Sequence, residues 1–144
     1  MVSRFLFRSP EKRLSSLLWL VAAHSFVVGI LLVIHPSGLI KLLGFSDFCE
    51  PFFPSQGGVF HMIMSIAYIY GAIDTRKNKN MIIYTIIVKM AAAGFLFCYY
   101  YFMERLTIVL LSGLIDFLMG VTIWGLLGYE TWYIKSADAE RITT

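Results

Sequence analysis

The sequence predicts an all-α protein: a membrane-embedded antiparallel four-helix bundle with cytoplasmic N- and C-termini. Three observations predict it. The 144 residues are 58% hydrophobic and only 15% charged, whereas soluble domains carry about a quarter charged residues. The apolar residues fall into four long blocks, Leu14–Ile34, Gly57–Ile73, Met81–Met103 and Leu106–Gly128, and a bilayer core needs about 20 apolar residues per helix. The basic residues are also unequally divided between the two ends of those blocks. Arg4, Arg8, Lys12, Arg13, Arg76, Lys77, Lys79, Lys135 and Arg141 fall on one side; only Lys41 and Arg105 fall on the other. The positive-inside rule assigns the basic side to the cytoplasm.

Residues 1–13 read as a cytoplasmic arm in which Phe5 and Phe7 alternate with Arg4 and Arg8. Ser9-Pro10-Glu11 is a helix start, with proline at the first helical position and an acid in the first turn. The first apolar block is too long for a signal-peptide core and lacks a small-residue cleavage site, so it reads as a retained span. His35-Pro36 ends it, and residues 35–56 form the outer connection. Within that connection Gly38–Phe45 is a short amphipathic piece suited to the interface. Pro51 and Pro54 bracket Phe52 and Phe53 as a stiff aromatic stretch.

The turn Thr75–Asn80 and the tighter one at Glu104-Arg105 make each flanking helix pair antiparallel neighbours. After Gly128, Tyr129, Trp132 and Tyr133 form an aromatic belt. Ser136–Thr144 is expected to be mobile. One domain with no soluble module fills the chain.

Lys89 and Asp116 lie inside the third and fourth spans. A charge in the bilayer core costs several kcal/mol, so it is paired, solvated or functional. At about 1.5 Å rise per residue, Lys89 lies ~12 Å above the inner edge, Asp116 ~18 Å and His24 ~15 Å. All three fall near the midplane, which predicts a buried Lys89–Asp116 ion pair with His24 near enough to hydrogen-bond. In the second span His61, Ser65, Tyr68 and Ala72 share one helical face. The candidate polar core, or ligand-binding set, is therefore His24, His61, Ser65, Tyr68, Lys89 and Asp116. Small residues near it, Gly113 and Gly120 among them, allow close helix approach. Each member also has a plainer reading: a register-fixing ion pair, a hydrogen-bonded histidine, an interfacial His61, a packed tyrosine. Asp74 and Arg76 form a cytoplasmic turn, where a basic neighbour offsets an acid at a helix end.

Several functions are disfavoured. The basic residues flank spans and form no stripe with aromatic neighbours, so no nucleic-acid surface is expected. Cys49 and Cys98 are not a closely spaced dithiol. His24, His35 and His61 have no ligand spacing within one helix, so no metal site or cofactor is expected. There is no glycine-rich phosphate loop and no nucleophile elbow.

The stretch Tyr70–Gly125 reads Y-G-A-I-D-T-R-K-N-K-N, then a helix with Lys89, then a helix with Asp116-x-x-x-Gly120. It resembles the small bacterial four-helix membrane proteins described as DoxX-like or simply uncharacterised. Those carry an Asp-x-Arg turn, a lysine in span three and an aspartate in span four, matched here by Asp74, Arg76, Lys89 and Asp116. Leu42-Leu43-Gly44-Phe45 followed by prolines is similar to the family's outer loop. The resemblance implies the bundle architecture, and a function that is mostly unassigned among its members. Some related proteins are accessory subunits in quinone or sulfur oxidation. Related sterol-isomerase-type bundles use intramembrane acids and histidines, but Asp116 is this chain's one acid at depth.

The leading expectation is a multi-pass protein of the inner (cytoplasmic) membrane. It would bind an apolar ligand such as a lipid or quinone, or serve as an accessory subunit of a membrane complex. Its partners are then the lipid bilayer and an apolar ligand, a membrane-protein partner or a second copy. The alternatives are an enzyme acting on a lipid or quinone, with His24 shuttling protons, and a proton-coupled small transporter.

Overall fold

The computed structural model describes residues 9–36, 38, 41, 44 and 52–143. It is all-helical, with α1 (Pro10–Ile34), α2 (Phe52–Ile73), α3 (Lys79–Phe102) and α4 (Thr107–Thr143). Residues 1–8 of the N-terminal arm, Cys49, Pro51 and the amphipathic piece, apart from Gly38, Lys41 and Gly44, lie outside the described residues, while residues 10–13 of the expected arm belong to α1.

Proline at the first helical position starts α1, where its missing N–H is no loss. His35 ends the helix in the left-handed region at φ 49°, its N–H bonded to the Leu31 carbonyl at 3.1 Å. Pro36 then blocks continuation.

Two boundaries differ from expectation. Helix α2 begins at Phe52, so Phe52–Gln56 belong to it and not to the outer connection. Pro54 is tolerated there because the first-turn N–H groups have no intrahelical partner. Helix α4 runs on to Thr143 instead of stopping near Gly128. No proline or glycine follows Gly128 to interrupt it.

Three helices, α1, α3 and α4 over Thr107–Ser136, are long and apolar enough to cross a membrane. The fourth, α2, is 22 residues long, but Gln56, His61, Ser65 and its tyrosines dilute its hydropathy. The surface fits a membrane setting. Leu20, Ile66, Ile73, Phe95 and Trp124 are 63%, 66%, 68%, 66% and 68% exposed, far more bare hydrocarbon than a water-soluble monomer presents.

Helix α1 packs most extensively on α2, and α3 on α4; lesser contacts of α4 with α1 and α2 with α3 close the ring. Leu14, Leu18, Val21, Tyr68, Ile82 and Ile123 form the core. In lipid, apolar burial gives little drive for helices to associate, so close packing and polar contacts carry the bundle. The tightest approach is between α1 and α2: a Cβ on Gly29 would lie 2.7 Å from the Gly58 carbonyl oxygen. Ser15 Oγ donates to the Ala72 carbonyl at 2.7 Å nearer the other end of the same pair.

Candidate functional site

Helices α3 and α4 bring Lys89 and Asp116 together. Lys89 Nζ donates to Asp116 Oδ1 at 2.6 Å, and the two residues are 2% and 7% exposed. Glycine makes the approach possible: a Cβ on Gly120 would lie 3.5 Å from Lys89 Cβ, and one on Gly113 would collide with the Phe97 ring. Such a pair loses much of its hydration but regains it as a short charge-assisted hydrogen bond. Tyr68, reaching in from α2, places its ring 5.7 Å from Lys89 Nζ, within cation–π range.

The other expected members gather less closely. His24 makes no side-chain hydrogen bond among the described residues, so its expected bond to the ion pair is absent. It is half-buried on α1. His61 turns towards α1, its Nδ1 3.1 Å from Ser25 Oγ, and the same hydroxyl lies 3.3 Å from the His61 carbonyl oxygen. It is half-buried. Ser65 is buried, but its hydroxyl is spent on the Met62 carbonyl one turn back, at 2.6 Å. Thr85 likewise donates to Met81 at 2.8 Å. The polar centre is thus one ion pair capped by an aromatic ring, with a separate Ser25–His61 bond beside it.

At the Asp74–Asn78 turn, the two charged residues take separate partners. Arg76 reaches across to Glu11 of α1 at 3.1 Å. Asp74 accepts the backbone N–H groups of Arg76 and Lys77 at 3.2 and 3.0 Å, with Lys77 Nζ at 3.6 Å. Those bonds, the Lys77 N–H foremost, hold the Asp74 carboxyl below the usual carboxylate range; partial burial opposes them.

The structure adds a second buried polar pair. Thr75 Oγ1 donates to Glu130 Oε1 at 2.8 Å, both residues being almost fully buried. Glu130 Oε2 is buried and has no hydrogen-bond partner among the described residues. Ile82 of α3 and Ile123 of α4 belong to the apolar core on the helices that carry these charged groups. A sequence signal for Glu130 did exist: Asp116, Gly120, Ile123, Leu127 and Glu130 recur at four, three, four and three, one helical face. Tyr129 and Trp132 beside it stack at 6.2 Å.

Two hollows open between α1 and α2. One, of about 560 Å³, is lined by Trp19, Ala23 and Phe26 of α1 and Val59, Ile63 and Ile66 of α2, among others. The other, of about 500 Å³, is polar and includes Lys12, Ser15, Asp74, Arg76 and Lys77. No group of three or more metal-ligating side chains occurs among the described residues. A scan of protein-family models and searches of curated proteins and of solved structures find nothing that matches this chain.

Proposed function

We propose that the chain is an integral protein of the cytoplasmic membrane that crosses it four times and holds an apolar ligand against α1 and α2. Three spans are supported by length and composition. The fourth, α2, is supported by its 22 residues and by partners at both ends of α1, Ser15 with Ala72 and Gly29 with Gly58. Those pairings run in opposite chain directions, as do Lys89 with Asp116 and Phe97 with Gly113. They favour an antiparallel bundle, and the excess of basic residues at the two termini and the α2–α3 turn favours a cytoplasmic placement for all three. The likeness to DoxX-like proteins belongs to the same proposal, resting on Asp74, Arg76, Lys89 and Asp116.

The observation that carries ligand binding is the hollow of about 560 Å³ between α1 and α2. Its walls are hydrocarbon and it opens on the exposed face, so a lipid or quinone chain could enter sideways. Ligand sites are concave, mostly apolar and few per protein. The Lys89–Asp116 pair serves this scaffold by fixing α3 on α4, since each charge is already satisfied by the other. The enzymatic reading has less support, because His24 has no hydrogen bond to the pair whose proton affinity it would need to share.

Gentle extraction followed by native mass spectrometry tests the proposal. A retained hydrocarbon-bearing molecule, lost on Ala23→Trp, is expected. A stoichiometric protein partner with no such molecule would favour the accessory-subunit reading instead. An empty, monodisperse monomer would rule out both.

A further inference from the structure

The two hollows between α1 and α2 lie along one seam. On α1, Lys12, Ser15, Trp19, Ala22 and Phe26 recur at three, four, three and four, a single helical face; the first two line the polar hollow and the others the apolar one. On α2, Val59, Met62, Ile66, Ile69 and Ile73 recur in the same rhythm, and Ile73 is the member that lines the polar hollow. A polar crevice therefore sits directly below an apolar groove, between the same two helices.

The dimensions match a lipid standing in one leaflet. The groove runs from Ile69 to Val59, ten residues of helix or ~15 Å. That is half of a hydrocarbon core about 30 Å thick. At its far end the groove is stopped where Gly29 meets Gly58. At its near end Ser15 bonds to the Ala72 carbonyl, and the crevice begins.

The charges of the crevice leave one unit over. Arg76 is paired with Glu11 and Lys77 with Asp74. Lys12 also lines the crevice and makes no ion pair among the described residues. One surplus positive charge at headgroup height, below a tail-length groove, suits a ligand with one negative charge and one hydrocarbon chain to insert.

Resting on the apolar-ligand reading, we propose that crevice and groove are one amphiphile site. It takes an anionic phosphodiester lipid from the leaflet next to the α2–α3 turn, with the phosphate at Lys12 and Arg76 and one acyl chain between Trp19 and Ile66. The groove gives affinity for any chain of that length, and the crevice selects the head. Lipid headgroup contact at a basic turn follows ordinary membrane electrostatics; the aligned groove makes it a defined site.

The full chain, delipidated in detergent, would be titrated by native mass spectrometry with dioleoyl phosphatidylglycerol, dioleoyl phosphatidylcholine and inorganic phosphate. Phosphatidylglycerol is expected to bind about tenfold more tightly than phosphatidylcholine, and Lys12→Glu to erase that preference while leaving both lipids bound. Ala23→Trp should weaken both lipids alike. Both substitutions are at exposed positions, and an unchanged helical circular dichroism spectrum and elution volume confirm folding. Equal binding of the two lipids, unaltered by Lys12→Glu, would overturn the head-selective site while leaving the apolar-ligand reading standing. Displacement of the lipid by millimolar phosphate would overturn it too, in favour of a free-anion site. Unchanged binding in Ala23→Trp would sink both readings.

Discussion

Helix α4 buries two acids about four turns apart, ~21 Å along its axis, and they meet different company. Asp116 faces a lysine at 2.6 Å, so a full opposite charge replaces the water each group gave up. Glu130 faces a threonine at 2.8 Å, and its second oxygen has no partner among the described residues. The first pair locks two long helices together in the middle of the bundle. The second ties the short α2–α3 turn to α4. The contrast teaches that burial alone does not define a polar site. What matters is whether every lone pair and proton finds a partner, because the unpaired group carries the cost.

The largest effect should come from breaking the Lys89–Asp116 pair unevenly. Asp116→Ala leaves Lys89 buried and unpaired, and should destabilise the protein by about 3–5 kcal/mol in reversible unfolding from mixed detergent micelles. The double variant Lys89→Met with Asp116→Leu removes both charges and should recover most of that loss. A double variant as unstable as Asp116→Ala alone would mean that the pair does more than neutralise itself.

Thr75→Val tests the other pair. Glu130 would then lose its one described hydrogen bond, at a cost of about 1–3 kcal/mol by the same assay. Adding Glu130→Leu should return the stability close to that of the parent, since both partners become apolar. If Thr75→Val proved harmless, the bond at 2.8 Å would contribute nothing.

Glycine contacts sharpen the difference between the seams. Gly29→Ala drives a methyl group against the Gly58 carbonyl oxygen at 2.7 Å, and overpacking of this kind costs about 1–3 kcal/mol. Gly120→Ala, beside Lys89, meets the flexible end of Met90 at 2.9 Å and should cost less. Equal losses would show that the α3–α4 seam is as rigid as the α1–α2 crossing.

The smallest effect concerns Asp74. Its folded pKa is lowered, mainly by the Lys77 N–H. Its contribution is therefore complete above the unfolded carboxyl value of about 3.9 and is lost as pH falls through the lower folded value. Asp74→Asn should match the parent in acid and fall slightly below it at neutral pH. A gap that widened on acidification would contradict the sign.

Much of the architecture could be read directly from the residues. Apolar blocks of bilayer length, proline at position 10 and the His35-Pro36 stop placed α1 closely, because each acts through local chain geometry. The Lys89–Asp116 pair was also legible, since a charge inside an apolar helix needs an opposite charge at its own depth and only one was present. The ends of α2 and α4 were harder: proline reads as a breaker but is harmless in a first turn, and Tyr129–Thr143 continues a helix simply because nothing stops it. Ser25 and Glu130 carry little signal in the sequence, because one hydroxyl and one acid in a belt segment look ordinary in isolation.

The sequence by itself determined that the chain is helical, which segments are apolar enough for lipid, and that two opposite charges share a depth. Those properties follow from local composition and the helical repeat. Only the tertiary structure decided that His61 bonds to Ser25, that one Glu130 oxygen has no partner among the described residues, and that α1 and α2 leave a hollow between them. Such features depend on the rotation and spacing of one helix against the next. Many side chains in different helices together fix those two quantities, and no single segment encodes them.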